Sequence, residues 1–319
     1  MKYTYSRLSS ESVIEIINLQ YQLTGIIDCK YYVFGLHDNY LIENNNKIYI
    51  FRIYRNDWRS EEEILFELEL LSYLDNTKAN VAAPIPSINS KLCNSIECPE
   101  GKRITALFNY ANGSAPNKDI TLKECELLGN SVATIHKETK HFKTQYTRPI
   151  LNLEYLVNRS LILIKPFITI NQYKYLQDIK ARIMLNTSDL NEGNSDFGIC
   201  VGDINSSNFH INEKNIITHF DFDQCGYAYR AFEIGKFISS LNSDNNKTGK
   251  VSAFIDGYEN SRKLTDLEKM TIPSFEIASI IWVMSIHVSN LNKIGYQYLE
   301  KPFWDKRIKL IESLNERMV

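Results

Sequence analysis

These 319 residues predict an α+β chain in two parts. One part is a β-rich first third with a single long helix. The other is a helical remainder interrupted by one hairpin. Three observations support this. Alternating, half-apolar runs (KYYVFGL, NYLIENN, KIYIFRIYR) crowd the chain before residue 110. Helical apolar spacing dominates after Gly113. Between the later helices, Cys200 to Phe237 (CVGDINSSNFHINEKNIITHFDFDQCGYAYRAFEIGKF) reads as loop, hairpin, loop. The boundary falls near Asn109–Gly113, which gives a first lobe of 1–110 and a second of 111–319.

Taken in order, residues 10–24 have helical spacing behind serine N-cap candidates. The three strand runs follow as an antiparallel meander, broken by His37-Asp38-Asn39 and Asn44-Asn45-Asn46. RSEEEILFELELLSYL is an amphipathic helix with Ser60 as N-cap. Three glutamates suit its positive end, and Ile64, Leu68, Leu71 and Leu74 form its apolar stripe. VAAPIPSI is extended, 90–101 forms a hairpin tip, and RITALFNYANG runs from strand into loop. LKECELLGNSVATIHKET and the tract 152–185 are helical. NFHI and IITHF pair across Asn212-Glu213-Lys214-Asn215. The remainder is helical, with breaks at Asp244-Asn245-Asn246 and Pro273.

The composition is that of an ordinary globular protein, with 44% apolar and 23% charged residues. A net charge of −2 gives no electrostatic footprint for nucleic acid. No uninterrupted apolar run approaches the roughly 18–20 residues of a membrane span. The N-terminus is polar and of mixed charge, so a cytoplasmic location is expected, with no membrane partner. The six cysteines are scattered without zinc spacing and are read as reduced thiols.

Asp203 and Asn208 lie five apart on one loop, and the hairpin returns the chain to Asp221. Two carboxylates and a carboxamide can hold a divalent metal and take a proton from a hydroxyl, as phosphoryl transfer requires. Arg52 sits inside an apolar strand, where a charge wants a partner. Glu67, fifteen residues on, can face the sheet. Each has an ordinary alternative: Arg52 in solvent, Glu67 on an acidic helix face, and loop Asp and Asn residues capping turns. The order decides between them. Strand cation, helix glutamate, hinge-like strand end, Asp-x4-Asn, hairpin and Asp is the order of protein-kinase-type parts.

The same residues resemble the aminoglycoside phosphotransferase family, whose relatives include choline, homoserine and bacterial stress-response kinases. VGDINSSN is similar to that family's His-Gly-Asp-x4-Asn loop, and HFDFDQCGYAYRAFEIGKF to its metal-binding segment. FRIYRNDWRSEEEILFELELLSYL and VAAPIP are similar to its phosphate-contact strand, glutamate helix and following strand. FIDGYE resembles a Gly-Tyr segment of its C-terminal lobe. The resemblance implies a bilobal protein-kinase-like fold and an ATP-dependent phosphotransferase, with GTP as the alternative donor. Asp203 would be the base, and Asn208 and Asp221 would hold Mg2+. Arg52 would grip phosphate and Glu67 would pair with it. The loop from Gly35 to Asn39 would cover the phosphates, and Asn109, Tyr110 and Ala111 would meet adenine through their backbone. The acceptor would be a hydroxyl of a small molecule: aminoglycoside-like, sugar or amino alcohol. The alternatives are a stress-response-type Ser/Thr protein kinase and an inactive nucleotide-binding scaffold. One departure stands out: Val201 occupies the place of the family's histidine, and valine cannot hydrogen-bond, so the loop must be held differently. The carboxylates of 256–276 alternate with Arg262, Lys263 and Lys269 and read as a solvated helix face.

Overall fold

The computed structural model describes every residue except 1, 24, 46, 117, 118, 195, 242–244 and 319. Thr24 of the first predicted helix, Asn46 of the asparagine turn and Asp244 of the later break therefore lie outside the described residues. Two compact units make up the chain. The first joins Met1–Ser114, His141–Arg148 and Phe209–Asp223. The second joins Ala115–Lys140, Pro149–Asn208 and Gln224–Val319. The hairpin and the Asp221-Phe222-Asp223 run thus group with the strands of the first third.

In the first unit, α1 (Ser10–Tyr21) starts at Ser9, whose hydroxyl accepts the Ser12 N–H. Strands β1 (Ile26–Phe34), β2 (Asp38–Asn44) and β3 (Lys47–Ile53) form the expected antiparallel meander. Helix α2 (Glu61–Leu74) has a complete capping box: Ser60 accepts from the Glu63 N–H, and the Glu63 carboxylate accepts from the Ser60 N–H. The predicted stripe of Ile64, Leu68, Leu71 and Leu74 is buried. Glu67 is three residues from Ile64 and shares that buried face. Strands β4 (Pro84–Ile85), β5 (Asn94–Cys98) and β6 (Gly101–Asn109) complete a six-stranded sheet. Its order is β1-β2-β3-β6-β4, with β5 also on β6.

Pleating gives this sheet two faces. Tyr40, Ile42, Phe51, Ile53 and Leu107 pack with Val13 and Ile17 of α1. The alternate residues Asn39 and Arg52 are cross-strand partners, so their side chains share the opposite face.

In the second unit, α3 (Leu122–Glu138) is capped by Thr121 and Glu124. The tract 152–185 is not one helix. A π-helical turn over Glu154–Arg159 leads into α4 (Ser160–Ile164), and α5 (Ile170–Asn186) restarts at Thr169. The chain breaks between them because Pro166 cannot donate a ladder hydrogen bond and Thr169 offers a new cap. Strand β7 (Phe197–Cys200) follows. The hairpin of the first unit is β8 (Phe209–Ile211) and β9 (Ile217–His219), with Phe209 opposite His219. β10 (Gly226–Tyr229) pairs antiparallel with β7. This ladder of four residues per strand carries Gly198 and Gly226 and gives too short a pattern to read from sequence.

Helices α6 (Arg230–Ser240), α7 (Lys247–Ser261), α8 (Asp266–Ser289), α9 (Leu291–Ile294) and α10 (Lys301–Asn315) finish the unit. The break expected at Pro273 is absent, since Pro273 lies inside α8. Its cost, about 3 kcal/mol in an isolated helix, is offset by burial of most of the surrounding residues, Ile272, Phe275, Ile277 and Trp282 among them. α8 is also long and apolar enough to cross a membrane by length and composition, but 72% of its apolar window is buried in the protein.

Helices α3 and α7 cross at two glycines. A Cβ on Gly129 would lie 1.9 Å from the Phe254 carbonyl oxygen, and one on Gly257 1.9 Å from that of Glu126. Neither backbone can yield without parting the helices. Gly257→Ala is expected to destabilise the protein by about 3 kcal/mol, read as a lower urea midpoint. An unchanged midpoint would show that the crossing is loose.

Candidate active site

Arg52 is the hub of a buried charge cluster in the first unit. Its Nε donates to Asn39 Oδ1 at 3.0 Å, and its Nη1 donates to Glu67 Oε1 at 3.3 Å. Its Nη2 lies 3.1 Å from Asp221 Oδ1. The predicted Arg52–Glu67 pair is therefore formed, and the solvent-facing alternative is not. The Glu67 side chain is 1% exposed and also has Arg148 Nη1 at 3.9 Å. Burial pushes its carboxyl up to about 7, against the pull of Arg52 and Arg148.

Asp221 occupies left-handed backbone at φ 61°, unusual for a residue other than glycine. Its Oδ1 is buried and accepts no hydrogen bond. Two residues on, Asp223 is clamped. His37 Nε2 lies 3.0 Å from its Oδ1 and Trp58 Nε1 donates to Oδ2 at 2.7 Å. Arg59 and Arg148 both donate to its carbonyl oxygen. Because the Arg55 N–H donates to His37 Nδ1, it is Nε2 that carries the proton given to Asp223. Burial opposes charge on Asp223, yet Arg59, His37 and Arg148 together hold its carboxyl well below the usual range. Asp223 is thus a brace for the segment carrying Asp221. It also ties the Gly35–Asn39 loop to that segment through His37. The polar residues Trp58 and Arg59 just before α2 are the signal for this brace that the sequence offers.

In the second unit, Asp203 and Asn208 meet as expected. Asn208 Nδ2 donates to the Asp203 carbonyl at 2.9 Å and to its Oδ2 at 3.0 Å. Asp203 Oδ1 lies 2.6 Å from Lys236 Nζ of α6. Lys236 went unnoticed in the sequence, although it stands three residues after Glu233 and so shares its helix face.

Glu233 answers the question raised by Val201. Its two carboxylate oxygens accept the backbone N–H groups of Val201 (2.5 Å) and Gly202 (2.9 Å). The loop is gripped by its backbone, so no side chain at 201 is needed and the valine packs. Gly202, at φ 84°, is required, because a Cβ there would lie 2.1 Å from the Gln224 carbonyl oxygen. Burial pushes Glu233 up to about 7, against those N–H donors, Lys236 and Arg230. Its folded pKa exceeds the ordinary glutamate value of 4.5, so its contribution to stability is full below pH 4.5 and is lost as pH rises through 7. Glu233→Gln is expected to flatten that part of the stability–pH curve. The wild-type slope there is at most about 1.4 kcal/mol per pH unit. Equal slopes in urea titrations at pH 5 to 8 would refute this origin.

The strand end at 109–111 offers backbone groups selectively. The Asn109 N–H donates to Ala83 O and the Tyr110 N–H to Ile48 O. Bonding of Tyr110 to Ile48 makes Asn109 and Tyr49 a non-hydrogen-bonded pair, which leaves the Asn109 carbonyl unclaimed by β3. The Ala111 carbonyl accepts from His210 Nδ1 at 2.7 Å. Among the described residues, the free edge is therefore Asn109 C=O and Ala111 N–H. A cavity of about 820 Å³ is lined by Tyr49, Asn80, Asn109, Tyr110 and Thr218 and by neither Arg52 nor Asp221.

His136 and His219 are packed in the interior. His136 Nδ1 lies 2.7 Å from the Tyr258 hydroxyl, and burial pushes His219 down to about 3. The face expected to be solvated over 256–276 is partly buried: Glu268 is paired with Arg262 and Glu276 with Lys247. Glu259 pairs with Lys269.

A two-unit α+β fold with an arginine–glutamate pair, an Asp-x4-Asn loop and a following Asp defines the kinase-like phosphotransferases as a class. The family model described as the phosphotransferase enzyme family matches residues 34–271. The chain belongs to that family and is a phosphotransferase of the kinase type. It is 34% identical to an uncharacterised protein of Synechocystis sp. over 313 residues, 97% of this chain and 86% of that protein. It is 24% identical to amicoumacin kinase of Bacillus subtilis over 211 residues, 64% of this chain and 61% of that one. Among solved structures it is similar to amicoumacin kinase hAmiN in complex with AMP-PNP, Ca2+ and Ami (TM-score 0.79, 21% identity, 97% and 94% of the two chains). It is also similar to the microcompartment-associated aminopropanol kinase (TM-score 0.80, 17% identity, 95% of each chain).

Proposed function

We propose that this phosphotransferase moves the γ-phosphoryl group of ATP, bound with Mg2+, to a hydroxyl of a small amine-bearing alcohol. The observation that carries the reading is the carboxylate of Asp203, partly open to solvent and fixed by Asn208 and Lys236. In this reading it accepts the hydroxyl proton. Arg52, locked by Glu67 and Asn39, presents a planar cation to phosphate oxygens. The Asn109 carbonyl and Ala111 N–H suit the edge of adenine.

Each unit by itself offers an oxygen of the kind Mg2+ takes. Asp221 Oδ1 is a buried carboxylate oxygen that accepts no hydrogen bond and has the Arg52 guanidinium 3.1 Å away as its ion-pair partner. The Asn208 amide nitrogen is committed to Asp203, so its oxygen is the atom left for a cation. Such hard oxygens are magnesium ligands, and the ion would supply charge neutralisation on the phosphates. GTP is the alternative donor. The amine-bearing acceptor is supported by the likeness to an amicoumacin kinase and an aminopropanol kinase. An unpaired carboxylate cluster for a polycationic aminoglycoside finds no support in 256–276, where Glu259, Glu268 and Glu276 are each paired.

The test is Mg2+-dependent ADP release with a panel of amino alcohols, aminoglycosides, sugars and a generic protein substrate. Stimulation by one amino-alcohol class, abolished by Asp203→Asn, is the expected result. Label transferred to protein alone would overturn the small-molecule acceptor, and nucleotide binding with a flat panel would overturn the activity.

A further inference from the structure

Helix α6 reaches the loop with two side chains one turn apart. Glu233 grips the backbone of Val201 and Gly202, and Lys236 grips the carboxylate of Asp203. The Lys236 side chain is only 8% exposed, so its methylenes are packed and its ammonium group is fixed. We infer that Lys236 is the positioning residue for Asp203, orienting the base and neutralising its charge while phosphate approaches; this rests on the reading of Asp203 as the base.

The chemistry sets the requirement. The acceptor oxygen forms a bond to the γ-phosphorus as the bond from that phosphorus to the β–γ bridging oxygen breaks. The electron pair of that bond leaves on the nucleoside diphosphate, and the hydroxyl proton passes to Asp203. Lys236 stays protonated throughout. A bare carboxylate beside a polyanionic group would repel it, and an ammonium 2.6 Å from Oδ1 cancels that repulsion. A carboxylate also rotates about two bonds. Asn208 on Oδ2 and Lys236 on Oδ1 remove that freedom and still leave lone pairs for the incoming proton. Among the described residues, the ion pair that Lys236 makes is with Asp203, which points to a role for this lysine at the base.

The experiment compares wild type, Lys236→Met, Lys236→Arg, Asp203→Asn and the Asp203→Asn/Lys236→Met double variant, each confirmed folded by thermal melting. The readouts are kcat and KM for magnesium-ATP, from acceptor-independent ATP hydrolysis and from the acceptor panel. Lys236→Met is expected to lower kcat about 100-fold, with KM for ATP within about threefold. Lys236→Arg should recover part of that loss. On top of Asp203→Asn, Lys236→Met should cost nothing further, because the two act as one unit. A Lys236→Met enzyme matching wild type, a loss confined to KM, or a full additive loss in the double variant would each overturn the proposal while leaving the kinase reading intact. A wild type that binds nucleotide yet turns over neither water nor any alcohol would overturn both.

Discussion

Asp203→Asn is expected to lower kcat by about 100- to 10,000-fold and to leave nucleotide affinity within about threefold of wild type. The substitution isolates the charge. An asparagine oxygen can still accept from Lys236, and Asn208 can still donate to the backbone carbonyl of residue 203, so the loop keeps most of its local hydrogen bonds. Its grip by Glu233 does not involve the Asp203 side chain at all. Asp203→Ala is a harsher test of the same point, because it strips the partner from a buried lysine. Alanine should therefore lose stability as well as turnover, and asparagine turnover alone. Single-turnover kinetics with a nucleotide-binding titration would check this. If Asp203→Asn turned over like wild type, the base would lie elsewhere. If nucleotide affinity fell in step with kcat, Asp203 would be acting on the metal–nucleotide complex rather than on the hydroxyl.

The sequence showed the parts of the site more readily than their fastening. Residues that carry chemistry come with spacing: Asp203, Asn208 and Asp221 bracket a hairpin, and Arg52 sits in an alternating strand fifteen residues before Glu67. The helix signals were local too, so the Ser60 capping box and the α2 stripe could be read directly. What was not legible depends on contacts distant in sequence. The clamp on Asp223 draws on residue 37, residues 58 and 59, and residue 148. The grip on Val201 and Gly202 comes from an acidic residue thirty-two positions on from Val201. Neither follows from periodicity, because a brace is defined by where the chain returns. Pro273 shows the converse. A strong local signal for a break was overridden, because the residues around it are buried on nearly every side.

Arg52→Met should be the most damaging change to the first unit, and its cost should depend on pH. Arg52 holds Glu67, Asn39 and Asp221 at once, so its removal leaves Glu67 with only Arg148 at 3.9 Å. Breaking one partner out of a buried pair typically costs about 3–5 kcal/mol. Here Glu67 already titrates at about 7 because burial disfavours its charge. Its folded pKa lies above the ordinary glutamate value of 4.5, so its share of stability is full below pH 4.5 and is lost as pH rises through 7. Without Arg52 the uncompensated carboxylate becomes costlier still, so the deficit of Arg52→Met should be small at pH 5.5 and should approach its full value by pH 8. Adding Glu67→Gln should restore most of the loss at pH 8, because the buried charge is then gone. It should not restore phosphate binding, which needs the guanidinium itself. Urea midpoints of the four-member cycle at both pH values, alongside nucleotide titrations, separate the two roles. A deficit independent of pH would mean that Glu67 is not the group left stranded. Recovery of nucleotide affinity in the double variant would mean that Arg52 serves the fold alone and that another cation grips the phosphates.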